Sequence, residues 1–255
     1  MIGDLDLALL GLAALLAGFV DAVVGGGGLV QVPALFSALP EYSPATLFGT
    51  NKLSSVFGTA NAAWRYARRI RLPWALAMPT AASAFGFSFL GAASVAWLPK
   101  EIVRPLVFAM LLVVIAYTAM RKDFGRVAGV RLRGVVERRR GLLAGAALGF
   151  YDGFFGPGAG SFMIFVFIRY FGLDFLGASS VAKVVNLATN TAALVYFVPS
   201  GHVLWLVGGV MAVCNIIGAQ LGARTALKQG SGFIRHVFLV VASVLAIKFG
   251  VDIFF

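Results

Sequence analysis

Two glycine-rich segments interrupt apolar stretches of the chain in a way that suits anion binding. They are Gly25-Gly26-Gly27-Gly28 and Gly156-Pro157-Gly158-Ala159-Gly160. Because consecutive glycines do not sustain a helix, each segment predicts an unwound turn that joins two half-helices. A helix that begins at such a turn presents free backbone N–H groups and a partial positive charge, so the glycines of both segments are candidate substrate-binding residues. The alternative is close helix packing, for which small residues are common.

Four charged residues accompany these segments. Lys52 and Lys183 lie inside apolar stretches, where a charge costs at least about 2.5–3.5 kcal/mol on insertion scales. This favours contact with a substrate or a counter-ion, and the alternative is that each long side chain extends to the membrane surface. Asp21 and Asp152 precede the two glycine segments. They could pair with the lysines, carry protons in a coupled cycle, or bond free N–H groups at the breaks, and we favour a structural role.

Asparagines extend the candidate site beyond the lysines. Asn186 and Asn190 follow Lys183 by three and seven residues, which places them on one helical face. Together with Asn51, beside Lys52, they complete the candidate substrate-binding residues, and interhelical hydrogen bonding is the alternative role. The same two segments carry further polar residues: Ser54, Ser55, Thr59, Asn61 and Thr189.

The glycine segments and the four charged residues recur at a constant offset of 131 residues without a gap. Asp21 returns as Asp152 and Lys52 as Lys183, and the same offset relates Trp74 to Trp205, Gly91 to Gly222 and Arg104 to Arg235. A period this long excludes a solenoid. Two copies of one unit in a very apolar chain are typical of secondary transporters.

The composition is that of a membrane protein. Of 255 residues, 60% are hydrophobic and 12% are charged, whereas soluble domains carry about 25% charged residues. Several apolar stretches of about 20 residues are long enough to cross a bilayer. The net charge of +11 fits basic cytoplasmic loops. We expect no nucleic-acid binding, because the basic loop has no accompanying aromatic residues or fold signature.

Other chemistries lack the residues that they need. A single cysteine, Cys214, excludes an intramolecular disulfide and a cysteine-based metal cluster. His202 and His236 have no second histidine or carboxylate at ligand spacing, so we expect no metal and no cofactor. The glycine segments lack the preceding strand and the following acidic residue of a dinucleotide fingerprint. Without a catalytic dyad or a metal set, we expect no enzyme.

The elements that must position the site are all helical. We predict a broken pair at about 7–24 and 29–38, then helices at 44–66, 73–97 and 102–120. The second half repeats this order with a broken pair at about 141–155 and 159–171, then helices at 177–198, 203–227 and 233–254. The predicted fold is an all-α polytopic membrane protein of two transmembrane repeats, 1–120 and 141–255, joined by a basic cytoplasmic loop at 121–140.

Loop charges predict that the two repeats are inverted. The loop at 65–71 carries four arginines and should be cytoplasmic, whereas its counterpart at 196–202 has no Lys or Arg and should lie outside. Matching loops then face opposite sides of the membrane. Each half therefore crosses the membrane an odd number of times, and both termini are outside. A re-entrant broken pair plus three transmembrane helices satisfies this count, and so do two thin crossings plus three helices.

The paired motifs resemble those of the TauE/SafE sulfite-exporter family, nearest to its YfcA-like branch. The first motif runs from Gly18-Phe-Val-Asp through the four glycines to Gly49-Thr-Asn-Lys52, and the second runs from Gly149-Phe-Tyr-Asp to Asn186 and Asn190. The resemblance covers nearly the whole chain. It implies an inner-membrane carrier for small anions such as sulfite, sulfoacetate and related sulfur-containing organic anions, without choosing one of them.

The predicted function is therefore secondary transport of a small anion by alternating access around a midplane site at the two breaks. The resemblance implies a sulfur-containing substrate, namely sulfite, a sulfonate or thiosulfate. The expected partners are this anionic substrate and the lipid bilayer, with proton coupling through the aspartates left open. A non-transporting scaffold or maturation partner, and an anion channel, are the alternatives.

Overall fold

A computed structural model describes residues 3–120 and 134–229, together with residues 247 and 251. Within the first two ranges the chain forms nine helices: α1 (Asp4–Val24), α2 (Gly28–Ala38), α3 (Pro44–Arg69), α4 (Trp74–Ala96), α5 (Lys100–Met120), α6 (Gly134–Phe154), α7 (Ala159–Phe171), α8 (Phe175–Phe197) and α9 (Trp205–Gln229). The predicted helix at 233–254, which contains Arg235 and His236, lies outside the described residues, as does most of the basic loop.

Local sequence signals explain where several helices begin and end. Ser43 caps α3 by accepting a hydrogen bond from the Thr46 amide, and Asp174 caps α8 by accepting one from the Gly177 amide. The helix α1 ends at Gly25, whose φ of 78° is in the left-handed region that glycine adopts without strain. Helices α2 and α7 have 11 and 13 residues, or about 16–20 Å at 1.5 Å per residue, so each is roughly half a bilayer in length.

The helix bounds repeat at the offset found in the sequence. Adding 131 to the bounds of α1–α4 gives 135–155, 159–169, 175–200 and 205–227, and α6–α9 match these bounds to within three residues. The counterpart of α5 would fall at 231–251, which lies almost wholly outside the described residues. Both glycine segments separate two helices, as the sequence predicts.

Helices of one half of the chain pack against helices of the other half. Helix α1 lies against α9, and α4 lies against α6. Glycines bring these backbones together, because a Cβ atom at Gly18 would overlap the carbonyl oxygen of Asn215. The equivalent glycine, Gly149, meets the carbonyl oxygen of Ala84, the residue 131 positions before Asn215. Close approach of small residues is the usual means of association for helices in lipid.

Three of the described helices, α1, α4 and α9, are long and apolar enough to cross a membrane. Helices α3 and α8 are as long, with 26 and 23 residues, but they carry buried polar side chains, including Lys52 and Lys183. They lie between the apolar helices, with α3 packed on α9 and α8 packed on α4. The interior of the bundle is therefore more polar than its surface helices, as expected where a site is enclosed.

One predicted boundary was wrong. Helix α6 begins at Gly134, so Arg138, Arg139 and Arg140 lie in its first turns and not in a loop that extends to residue 140. Arginine and glutamate are good helix formers, and Glu137 lies near the positive N-terminal end of the helix. The sequence prediction began the helix at the first apolar residue and so left out this charged turn.

Two glycines of α4 provide a matched test of the glycine contacts. A Cβ atom at Gly91 would overlap the carbonyl oxygen of Phe150 on α6, whereas a Cβ atom at Gly86 would meet nothing within 4 Å. We expect Gly91→Ala to reduce the free energy of unfolding by about 1–3 kcal/mol through overpacking. Gly86→Ala should leave stability unchanged or slightly raise it. Thermal unfolding of the detergent-purified variants measures both, and equal melting temperatures would contradict the predicted role of Gly91.

Candidate functional site

The two glycine breaks meet in the interior of the bundle. The carbonyl oxygen of Gly25 accepts a hydrogen bond from the Ser161 amide at 3.0 Å, and the Ser161 hydroxyl donates to the carbonyl oxygen of Val24 at 2.6 Å. A Cβ atom at Gly25 or at Gly160 would overlap the other residue's backbone. Only glycine at both positions permits this approach, because any side chain would separate the two turns.

Each break is joined to the opposite repeat by a buried ion pair. Lys52 donates to the Oδ1 atom of Asp152 at 2.7 Å and to its carbonyl oxygen at 2.7 Å. Lys183 makes the same two contacts with Asp21, with 2.7 Å between Nζ and Oδ2. Each ammonium group thus binds a carboxylate and a backbone carbonyl at the end of the helix that precedes a break, where the helix dipole favours a cation.

This arrangement bears on the alternative that the lysine side chains extend to the membrane surface. The side chains of Lys52 and Lys183 are only 2% and 1% exposed, so neither extends to the membrane surface. The aspartates serve as their counter-ions. A buried lysine without a partner would be strongly destabilising, so each repeat depends on the other for charge compensation.

The two ion pairs differ in their surroundings. Asp152 is 2% exposed, and its Oδ2 atom also accepts hydrogen bonds from Asn186 Nδ2 at 2.9 Å and from the Thr189 hydroxyl. Asp21 is 17% exposed and has no equivalent donors among the described residues. The positions equivalent to Asn186 and Thr189 are Ser55 and Gly58, since 186 and 189 minus 131 are 55 and 58. The Lys183–Asp21 pair is therefore the more accessible and the less supported of the two.

A small cavity lies between the two breaks. Its volume is about 20 Å³, and its lining consists of Asp21, Gly25, Gly28, Asn51, Lys52, Ser55, Asp152, Gly156, Gly160, Asn186 and Asn190. Such a volume holds about one water molecule. The Oδ1 atom of Asn51 is buried without a hydrogen-bond partner among the described residues and is available to that water. In this conformation the site is closed to any larger ligand.

The structure gathers most of the predicted site residues around this cavity. Ten of the fourteen, including both aspartates, line it, and Ser55 joins them. Gly26, Gly27 and Gly158 lie at the breaks without lining the cavity, and Lys183 is held beside it through Asp21. A Cβ atom at Gly27 would lie 2.7 Å from the Cβ atom of Asp21, so this glycine makes room for the aspartate.

Backbone donors are also free at the breaks. The amides of Gly26, Gly27 and Gly28 donate no hydrogen bond to another described residue, and neither do those of Gly158 and Gly160. These are the first amides of α2 and α7 and the turns before them. The positive ends of both half-helices are consequently unsatisfied beside the cavity, as the glycine segments predict.

Sequence reasoning missed the side chains that hold the breaks in place. Gln31, which is fully buried on α2, donates to the Ser54 hydroxyl at 2.7 Å and accepts from the Ser55 hydroxyl at 3.1 Å. The Tyr151 hydroxyl donates to the carbonyl oxygen of Pro157 at 2.7 Å, and the Tyr66 hydroxyl donates to that of Ala22 at 3.1 Å. Gln31 was the most visible signal, as a lone amide in an apolar half-helix.

The histidines lie away from the site or outside the described residues. His202 lies in the turn between α8 and α9, where its Nδ1 atom is 3.3 Å from the Thr46 hydroxyl. Asn215 of α9 also lies away from the site and joins α9 to α1, donating to the carbonyl oxygen of Ala14 at 3.2 Å. Within the part of the chain that the structure describes, no three histidine, cysteine or acidic residues are grouped to hold a metal ion.

Comparison with known proteins adds an independent observation. Residues 10–249 match the family described as "Sulfite exporter TauE/SafE". The chain is 34% identical over 248 residues to "Probable membrane transporter protein YfcA" of Escherichia coli (strain K12), which covers 97% of this chain and 91% of that protein. It is also 34% identical to a "Probable membrane transporter protein" of Haemophilus influenzae, over 96% of this chain and 95% of that protein. No solved structure matches the chain significantly.

The buried pairs make a testable prediction about stability. Asp152→Asn leaves the Lys52 charge buried without its counter-ion, and we expect a loss of about 3–5 kcal/mol of unfolding free energy. The same loss is expected for Lys52→Met, which leaves the carboxylate uncompensated. The double variant Lys52→Met/Asp152→Asn should be more stable than either single variant, because it removes both charges. Melting temperatures of the four proteins in detergent complete this cycle, and additive losses would refute the coupling.

Proposed function

The chain belongs to the sulfite exporter TauE/SafE family, and from this membership we propose that it carries a small anion across the cell membrane by secondary transport. It is a multi-pass membrane transporter and not an enzyme, as its family and the names of its relatives indicate. The observation that carries the anion proposal is the meeting of two helix breaks, with free amides, beside two buried lysines. The free amides are the positive ends of two half-helices, and they favour an anion in a low-dielectric interior.

The proposed substrate is a small sulfur-containing anion, either sulfite, a sulfonate such as sulfoacetate, or thiosulfate. The family description supports sulfite as one member of this class. Tetrahedral and pyramidal oxyanions present several acceptor oxygens in a small volume, which matches amides that converge from two half-helices. In this proposal Asn51, Asn186 and Asn190 orient the anion, and Lys52 and Lys183 supply charge.

The closed cavity indicates how the anion enters. Both lysines are bound to aspartates, and the space between the breaks holds about one water molecule. Substrate binding therefore requires at least one lysine to exchange its carboxylate for the anion. The Lys183–Asp21 pair is the one that opens first in this proposal, because Asp21 is more exposed and lacks the two extra donors that hold Asp152.

In this proposal, protonation of Asp21 allows Lys183 to exchange its carboxylate partner for the anion. When Asp21 takes a proton, the carboxylate no longer competes for Lys183, and the lysine becomes free to bind the anion. One proton and one anionic charge then enter the site together, which avoids a net change of buried charge. Coupling of anion movement to a proton gradient follows from the ion pair itself and needs no further group.

The proposed architecture of the protein has two repeats, at 1–120 and 141–255. Helix α6 extends the second repeat back to Gly134. We propose that the two repeats are inverted about an axis in the membrane plane, with the basic segment at 121–140 in the cytoplasm and both termini outside. Support comes from the matching helix bounds and from the arginines at the end of α3, whose counterparts at the end of α8 are uncharged. The bacterial relatives support placement in the inner membrane.

Transport by purified protein in proteoliposomes tests the function directly. We expect saturable uptake of at least one of sulfite, sulfoacetate and thiosulfate, and no comparable uptake of acetate or chloride. Gly158→Leu/Gly160→Leu should abolish this uptake, because the side chains would occupy the space between the breaks. The control Gly86→Leu places a side chain where α4 has open space. Unsaturable flux of many anions would indicate a channel, and no flux of any anion would favour a non-transporting protein.

The proton proposal predicts a separable effect of Asp21. Wild-type protein should accumulate the anion in response to an imposed pH gradient, and Asp21→Asn should lose this response while still exchanging internal for external anion. Radiolabelled sulfite counterflow, with and without the gradient, measures both activities. If Asp21→Asn retains the response to the gradient, Asp21 is not the coupling group. If it loses the response and also melts far below the wild type, its role is structural.

A further inference from the structure

A second, larger cavity lies at the end of α3, away from the glycine breaks. Its volume is about 400 Å³, and its walls are Trp64, Arg65, Arg68, Arg69, Arg224 and Leu227. The first four residues belong to the last two turns of α3, and the other two belong to α9. The cavity therefore lies between helices of the two different halves, at the level where α3 ends.

Hydrogen bonds hold the arginines of this cavity in position. Arg65 donates through Nε to the Asn61 side chain at 3.1 Å. In the amide orientation that satisfies both neighbours, the oxygen of Gln220 accepts from Arg65 at 2.8 Å and from Arg224 at 3.2 Å. The guanidinium group of Arg68 lies 4.1 Å from the centre of the Trp64 ring, a cation–π contact. The arginine pocket is thus organised by neutral groups that leave its charge intact.

Among the described residues, the charge of the arginine pocket is not compensated. No carboxylate of the described residues lies within ion-pair distance of its guanidinium groups, since the two described salt bridges are those at the glycine breaks. Four like charges between two helices repel one another. An anion between them would relieve this repulsion, and planar guanidinium groups bind phosphate oxygens in a bidentate manner.

The equivalent place in the other half of the chain shows that the fold does not require such a pocket. The counterparts of Arg65 and Gln220 at the 131-residue offset are Tyr196 and Phe89. Their rings pack edge to face with centroids 5.7 Å apart. Where one half has a polar, basic cavity, the other has an aromatic contact, so the arginines are a specialisation of one end of the molecule.

We propose that the arginine pocket binds the phosphate of an anionic phospholipid headgroup. Trp64 is 51% exposed on the same wall as Arg68, and an exposed tryptophan at a helix end is typical of the lipid interface. A basic pocket between transmembrane helices at that depth is suited to an acidic lipid headgroup. The bound phosphate would join α3, which carries Lys52, to α9, which packs on α1 and its Asp21.

Native mass spectrometry of the full-length protein, purified in neutral detergent, tests this assignment. We expect phosphatidylglycerol to form stable adducts, and phosphatidylcholine with the same acyl chains to form few. Arg65→Gln/Arg224→Gln should weaken phosphatidylglycerol binding by roughly fivefold per arginine removed. Arg71→Gln/Arg169→Gln is the matched control, because it removes two exposed arginines that do not line the pocket.

A second variant and a second titration keep the test decisive if the first variant folds poorly. Arg68 and Arg69 are exposed and are not bound to Gln220, so Arg68→Gln/Arg69→Gln should fold normally and should still lose lipid affinity. A titration with inorganic phosphate identifies the source of the bound group. Selective loss of phosphatidylglycerol in both pocket variants supports the proposal. Equal loss in the control variant, or binding of free phosphate with no retained lipid, would overturn it.

Discussion

The structure depends on two buried ion pairs that each connect one half of the chain to the other. A lysine in the interior of an apolar bundle is tolerated only when its charge is compensated, and here each lysine finds its carboxylate on the helix that precedes the opposite break. Neither half compensates its own lysine. The pairs therefore determine how the halves must associate, and they bring the two breaks and their free amides to the same place.

Glycine makes this association sterically feasible at two levels. Between helices, Gly18 and Gly149 let backbones approach until carbonyl oxygens would overlap any Cβ atom. At the breaks, Gly25 and Gly160 let two unwound turns touch, and Gly25 also adopts a left-handed conformation with φ of 78°. The same residue type thus serves packing and site formation, which is why composition alone did not separate the two roles.

The two halves differ in the side chains around their equivalent aspartates. Asp152 is held by an asparagine and a threonine that Asp21 lacks, and the difference has a structural cause. Gly58 occupies the position in the first half that Thr189 occupies in the second. A side chain at Gly58 would overlap the side-chain amide of Asn215, which is hydrogen-bonded to α1. The two equivalent ion pairs are therefore unequal in exposure.

The sequence alone determined the helical class, the repeat offset, the breaks and most residues that line the cavity, because these depend on apolar length, glycine content and motif spacing. It did not determine the partners of those residues. The pairing of Lys52 with Asp152, the anchoring of α2 by Gln31 and the arginine pocket join residues far apart in the chain. Only the tertiary structure decided them, because a buried charge selects its partner by distance in space, which the packing of the helices sets.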